Sequence, residues 1–266
     1  MPDQNRDALI ATAHALADAA RVETLRHFRD GDLGIANKAE AGFDPVTVAD
    51  HAAEEAMRAI LAERRPEDGI HGEELGQIAG TSGLTWVIDP IDGTRAYLSG
   101  APTWGVLIAL SDATGPRLGI IDQPYIGERF IGGLGEARLD GPHGSRPLKT
   151  RTTATLDQAV LFTTFPEVGT AEEGRAFHEL AGHVRLTRYG MDCYAYALLA
   201  LGQIELVVEA GLNPYDIHAP IAVIEAAGGI VTDWQGGSAA DGGRVLAAAN
   251  AEIHAAALEI LSRAEA

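Results

Sequence analysis

The sequence predicts a mixed α/β fold in which helices pack on mixed sheets. Three observations lead there. Segments with apolar residues at helical spacing alternate with short apolar runs of strand length, and Gly, Pro or Asp punctuates most junctions. The chain has 266 residues, 46% of them hydrophobic, enough to bury a substantial core as one large domain or two small ones sharing an interface. Mean hydropathy is +0.01 and no apolar run approaches the roughly 20 residues of a spanning helix, which argues against a disordered chain and against a membrane protein.

The first helix is expected over residues 7–29, where Leu9, Ala13, Leu16, Ala17, Ala20 and Leu25 keep helical spacing and Gly31 follows as a stop. Residues 36–43 read as a turn or mobile hairpin. Thr47-Val48-Ala49-Asp50 opens a second helix in capping-box style, running to about Arg65 before Pro66. Short strands follow at 69–72 and 85–88. The run 104–110, bounded by Pro102 and Asp112, reads as a buried strand with antiparallel neighbours at 118–121 and 129–131. In the second half, strands are expected at 159–163, 204–209, 229–232 and 245–248, and helices at 171–182, 192–201, 216–227 and 251–266. No repeat, low-complexity tract or long linker interrupts the pattern. The Gly-Pro-His-Gly-Ser-Arg-Pro stretch from Gly141 to Pro147 is the best seam, dividing the chain into halves at 1–145 and 146–266.

Twenty Lys and Arg against 38 Asp and Glu leave a net charge of −18, a field that repels nucleic acid and anionic membranes. Neither is expected as a partner. One cysteine, Cys193, excludes an intramolecular disulfide framework and thiolate zinc sites. The polar, acidic start Met1-Pro2-Asp3-Gln4-Asn5-Arg6-Asp7 is unlike a signal peptide, so the expected compartment is cytoplasmic.

Chemistry concentrates in Trp86-Val87-Ile88-Asp89-Pro90-Ile91-Asp92-Gly93-Thr94. An apolar strand delivers Asp89 at its end, and Pro90 forbids simple continuation of the ladder. The turn can bring Asp92 back beside Asp89, with the Ile91 carbonyl pointing the same way. Gly93 and Thr94 then offer backbone N–H groups at a helix start, where an anion is favoured. Such a set would serve metal-assisted phosphoryl transfer; by spacing alone it reads equally as an ordinary Asp-Gly turn after a strand. Other acids sit at element ends: His71-Gly72-Glu73-Glu74 after a strand, Asp44 and Asp50 leading into a helix, and Asn213-Pro214-Tyr215-Asp216 before another. Singly each is an N-cap candidate; together they cluster at junctions where sites are built. The nine His form no zinc pair, Cys193 has no Arg six residues on, and no Asp-x-Asp-x-Thr nucleophile exists.

Glu73-Glu74, then Asp89-Pro90-Ile91-Asp92-Gly93-Thr94, then Tyr215-Asp216 with Ala226-Ala227-Gly228-Gly229 behind it, resemble the inositol monophosphatase family in order and spacing along nearly the whole chain. Within that family, residues 94–105 look like the histidinol-phosphate phosphatase branch, since inositol-specific members usually differ just after the Gly-Thr. Ile121-Asp122-Gln123-Pro124, Gly127-Glu128-Arg129 and the segment 188–194 point the same way.

The resemblance implies a layered αβαβα sandwich and a phosphomonoesterase, with two to three Mg²⁺ ions per site bound by Glu73, Asp89, the Ile91 carbonyl, Asp92 and Asp216. It implies that Glu73, Thr94 and Asp50 orient or deprotonate the attacking water. Asp92, Gly93, Thr94, Arg95, Arg188, Asp192, Glu209 and Asp216 become the substrate contacts, and Lys38 matches a basic residue of the mobile metal loop. The implied reaction is hydrolysis of L-histidinol phosphate by direct attack of metal-activated water, in histidine biosynthesis, by a homodimer acting on a small phosphorylated metabolite. Glu209, seven residues before Asp216, is placed to meet the leaving group's ammonium. The alternatives are an inositol-1-phosphate or broad-range sugar-phosphate phosphatase, more distantly a nucleoside bisphosphate 3′-phosphatase, and a non-catalytic interaction protein.

Overall fold

The computed structural model describes residues 3–30, 36–37 and 45–264. Leu9, Ala13, Leu16, Ala17 and Ala20 recur every three or four residues and become the buried stripe of α1 (Asp3–His27). Of the expected hairpin, β1 (Ala36–Asn37) pairs antiparallel with β2 (Pro45–Val46), and Lys38 and Asp44 lie outside the described residues. Thr47 then caps α2 (Val48–Arg64): its side chain accepts the Ala49 N–H, and its own N–H donates to Asp50 at 2.8 Å.

The next strands build one eight-stranded sheet: β3 (Gly69–Gly72), β4 (Gly76–Ile78), β5 (Thr85–Asp92), β6 (Gly105–Asp112), β7 (Gly115–Gln123), β8 (Glu128–Gly133), β9 (Glu136–Gly141) and β10 (Gly144–Pro147). Their order is β10-β9-β8-β7-β6-β5-β3-β4, antiparallel except where β3 lies beside β5. A short helix, α3 (Thr94–Leu98), leaves the end of β5. The second sheet has five strands, β11 (Val160–Thr163), β12 (Leu186–Tyr189), β13 (Leu206–Leu212), β14 (Ile230–Thr232) and β15 (Gly243–Ala248), ordered β12-β11-β13-β15-β14. β11 runs parallel to both neighbours and the remaining pairs are antiparallel. Helices α4 (Ala171–Ala181), α5 (Tyr194–Ala200), α6 (Pro214–Ala226) and α7 (Ala251–Leu261) complete the fold.

The period-two alternation of the strands sorts these elements into five layers. Trp86, Ile88, Val106, Ile108, Leu110 and Ile120 face α1 and α2 in one core. Val87, Leu107, Ala109, Ile121 and Phe130 face the other way, onto α5 and α6 and the inner face of the second sheet (Phe162, Val207, Val245, Ala247). The outer face of that sheet, Leu161, Leu206, Val208 and Leu246, packs on Phe177 and Leu180 of α4 and Ile253 and Leu261 of α7. The layers therefore run αβαβα. No helix among the described residues is long and apolar enough to cross a membrane.

Elements without an apolar signature escape the periodicity. β4 is exposed throughout, β10 is Gly-Ser-Arg-Pro, and β9 carries Arg138 between Glu136 and Asp140 with ion pairs to both. Gly141–Pro147, read as a seam, runs from the end of β9 through β10, and the 145/146 division falls inside β10. The helix expected from residue 192 begins at Tyr194, because Asp192 has a positive φ of 47°.

Candidate metal centre and substrate cleft

The site starts where β5 breaks its ladder. Asp89 pairs opposite Leu107, then the register shifts and Asp92 faces Gly105. Pro90 has no N–H to continue the pairing. The Ile91 N–H donates instead to Asp89 Oδ1 at 2.9 Å, and the Thr94 hydroxyl donates to the Ile91 carbonyl at 3.2 Å, so the turn is tied by its own side chains. Gly93, at φ 86°, reverses the chain into α3, and a Cβ there would lie 2.7 Å from Asp192 Cγ. Conformation and space both demand glycine.

Asp216 arrives from the other half of the chain. Pro214 opens α6, and the Asn213 N–H donates to Asp216 Oδ2 at 2.6 Å. α6 lies close on the first sheet because Gly132 in β8 has no side chain; a Cβ there would meet Val223 Cα at 2.5 Å. That approach carries the first turn of α6 to the end of β5, and carboxylate oxygens of Asp89, Asp92 and Asp216 lie within 4.8 Å of one another. Glu73 follows β3, its N–H donating to the Ile88 carbonyl at 3.2 Å, and shares a hydrogen bond with Asp89. The segment bearing Glu73 is held from below by Glu54 of α2, which is fully buried, accepts the Glu74 and Leu75 N–H groups at 2.8 and 3.1 Å, and pairs with Arg58 at 2.7 Å.

Charge is concentrated here against its own repulsion. Burial, then Glu73, Asp92 and Asp216, push the Asp89 carboxyl well above the ordinary carboxylate range. Burial, then Asp216 and Asp192, do the same to Asp92, and burial with Glu73 raises Asp216 to about 7. Among the described residues, what opposes these shifts is hydrogen bonding: the Cys193 N–H at 2.6 Å and the Cys193 side chain on Asp92, and the Asn213 N–H and the Asp89 carboxyl on Asp216. Converging hard oxygen donors that raise one another's proton affinity are the donor set a divalent cation relieves. The residues fit such an ion.

A cavity of about 290 Å³ opens beside this cluster, and Asp92, Gly93, Thr94, Arg95, Asp192, Glu209 and Asp216, all expected substrate contacts, line it together. Asp192 accepts from the Thr103 hydroxyl at 3.0 Å. Glu209 is buried; its Oε1 accepts the Thr164 N–H and hydroxyl at 2.7 and 2.9 Å and its Oε2 the Thr163 hydroxyl at 3.1 Å, while burial raises its carboxyl to about 7. Two predicted residues lie elsewhere. Arg188 is exposed on the edge strand β12 and does not line the cavity. Asp50 is buried in the α2 cap, taking the Thr47 N–H and hydroxyl at 2.8 and 2.6 Å. The sequence reading passes over Thr164, Phe165 and Tyr196 in the cavity wall and the Cys193 amide on Asp92. The first two follow a strand end, the one signal available; the amide has none.

The family model for the inositol monophosphatase family matches residues 5–266. A chloroplastic bifunctional phosphatase of Arabidopsis thaliana is 41% identical over 273 residues, covering 98% of this chain and 77% of that protein. A histidinol-phosphatase of Streptomyces coelicolor is 36% identical, covering 96% of each. Among solved structures, an inositol monophosphatase from Zymomonas mobilis superposes with a TM-score of 0.82 at 40% identity, over 95% of this chain and 97% of that one. The chain belongs to the inositol monophosphatase family, whose members are metal-dependent, and it is a phosphoric monoester hydrolase.

Proposed function

We propose that this phosphatase hydrolyses L-histidinol phosphate to L-histidinol and phosphate, with Mg²⁺ ions held by Glu73, Asp89, the Ile91 carbonyl, Asp92 and Asp216. When bound, such ions supply Lewis-acid stabilisation of the phosphoryl oxygens and make water a better nucleophile near neutral pH. The chain's own residues do the rest. Gly93 and Thr94 offer amides to the phosphate, and the Thr94 hydroxyl, already committed to the Ile91 carbonyl, holds the turn in register with Asp89. Glu73, hydrogen-bonded with Asp89, is the acid assigned to orienting the attacking water, and Asp50 fixes the start of α2.

One observation carries the choice of substrate. Two carboxylates that are not in the metal set, Asp192 and Glu209, line the same cavity as Asp92 and Asp216. The leaving alcohol of histidinol phosphate bears an ammonium group. An ammonium beside Glu209 holds that carboxyl ionised although burial raises it to about 7, so substrate charge and site charge are complementary. The 36% identity to the Streptomyces coelicolor histidinol-phosphatase supports the same reading. A second reading, an inositol-1-phosphate or broad-range sugar-phosphate phosphatase, is favoured by the 40% identity to the Zymomonas mobilis inositol monophosphatase.

The test is phosphate release from L-histidinol phosphate, inositol-1-phosphate and glycerol-2-phosphate by wild type and Glu209→Gln. Removing one side of a desolvated charge pair costs roughly 2–5 kcal/mol, and an open cleft pulls that to the lower figure, about a 30-fold loss in kcat/KM. That loss is expected on the ammonium-bearing substrate alone. An equal loss on all three makes Glu209 a support of the site, and a wild type without preference for histidinol phosphate favours the second reading.

A further inference from the structure

Among the described residues most large apolar side chains are buried, so the exceptions are informative. Phe165 is 44% exposed, and it is the first residue beyond Thr163 and Thr164, the two residues that hold Glu209. It lines the same cavity as Asp192 and Glu209. The Arg95 guanidinium, from the first turn of α3, sits over its ring at 5.1 Å from the centroid. The ring is therefore held at the cleft wall by a partner from the turn that carries Gly93 and Thr94, and it still presents open surface.

A guanidinium is a flat, delocalised group close in size to a five-membered heteroaromatic ring, and it is attracted to an aromatic face for the same reasons. The chain thus displays in Arg95 the kind of group that this ring accepts. Beside it, Asp192 and Glu209 supply negative charge for a basic substituent. A polyhydroxylated leaving group gains less from an aromatic wall, since any hydroxyl turned towards it loses water without finding an acceptor. We infer that Phe165 is a specificity-determining residue that takes the flat heteroaromatic ring of the leaving alcohol, while the carboxylates take its ammonium. The inference rests on the histidinol-phosphate reading and divides it into a ring part and a charge part.

Three esters separate those parts: L-histidinol phosphate has ring and ammonium, imidazolylethyl phosphate has the ring alone, and glycerol-2-phosphate has neither. The exposed position of Phe165 lets substitutions fold. Phe165→Ala is expected to lower kcat/KM about tenfold on both ring-bearing esters, the scale of one aromatic pair. The loss should lie in KM with kcat within twofold, and glycerol-2-phosphate should be unaffected. Phe165→Trp should retain the preference, whereas Phe165→Leu, apolar but without a π face, should lose it. Inhibition by L-histidinol should weaken about tenfold in Phe165→Ala, and inhibition by inorganic phosphate should not move. Equal losses on all three esters, an unchanged KM for the ring esters, or wild-type behaviour in Phe165→Leu would each overturn the assignment. If wild type prefers L-histidinol phosphate over imidazolylethyl phosphate and Phe165→Ala costs nothing on either, the inference fails and the substrate reading stands. If wild type treats the two ring esters alike and Phe165→Ala costs tenfold on both, the ammonium part of the reading fails and the inference stands. No preference for either ring ester over glycerol-2-phosphate overturns both.

Discussion

Asp122 and Asp89 are both buried aspartates of the eight-stranded sheet, and the protein treats them in opposite ways. Asp122, near the end of β7, is fully buried and held by two guanidinia. Arg21 of α1 binds it through Nε and Nη2 at 3.1 and 2.7 Å, and Arg129, its partner across β7 and β8, through Nε at 2.6 Å. Glu54 is handled similarly, with Arg58 and two backbone amides. Asp89 instead shares its surroundings with Asp92, Asp216 and Glu73, and their charges add to its cost of ionisation. An internally neutralised carboxylate is a structural part of the fold. A cluster whose neutralisation must come from outside is a binding site for a cation.

Metal removal tests that contrast most severely. Excess chelator should abolish turnover and Mg²⁺ should restore it, with no thiol reagent needed; full activity in chelator would break the distinction. The same ion should raise thermal stability, by about 2.7 kcal/mol when present at 100 times its Kd. Truncating the paired acid acts on folding instead. Asp122→Ala takes the buried partner from Arg21 and leaves Arg129 with its ion pair to Asp18 at 2.8 Å. Breaking a buried pair from one side costs roughly 3–5 kcal/mol, here towards the lower figure because Asp18 remains, read as a fall in denaturation midpoint. The kcat of the molecules that remain folded should stay within about twofold of wild type.

Asp92→Asn reverses the pattern. It removes one charge from the metal set, and kcat should drop by about two orders of magnitude, about 3 kcal/mol of transition-state stabilisation. The metal-free protein should be no less stable than wild type, since the substitution relieves repulsion; a near-normal kcat would reduce Asp92 to a turn residue.

Glu209 gives the smallest expected effect and lies between the two classes, satisfied by hydroxyls and an amide and, among the described residues, by no cation. Its folded carboxyl lies at about 7 against an ordinary 4.5, so the folded state binds more protons between those values. Its contribution is fully present below pH 4.5 and is lost as pH rises towards 7, on the order of 2 kcal/mol between about pH 5 and 7. In saturating Mg²⁺, stability curves of wild type and Glu209→Gln should diverge over that window, with the wild type falling more steeply. Parallel curves would place Glu209 with the neutralised acids.

The residues differ in how legible they are. Asp89, Ile91, Asp92, Gly93 and Thr94 lie within six residues on one interrupted strand, so local rules of proline, glycine and Asx turns expose the turn in the sequence, and the family pattern supplies its reading as a metal and phosphate site. Asp216 reads as a helix-start acid, and only the family pattern links it to Asp89. The capping box at Thr47 and Asp50 was visible for the same local reason. Arg21 on Asp122 was not, because 101 residues separate them and an arginine on a helix face carries no mark of its partner. Nor was the edge strand β12, whose pairing with β11 holds an exposed, weakly apolar segment that placed Arg188 away from the cleft.

By itself the sequence determined the alternation of the apolar helices and strands and the break after Asp89, since each depends on neighbours within a few residues, while the type of chemistry followed from the family pattern along the whole chain. Only the tertiary structure decided which acids share a cavity and which are neutralised in place. That choice is made by α6 lying close over Gly132, which brings Asp216 to β5, and by α1 crossing the sheet with Arg21 over Asp122. The free energy of a buried charge depends on what stands within a few ångströms of it, and that is a property of packing rather than of sequence order.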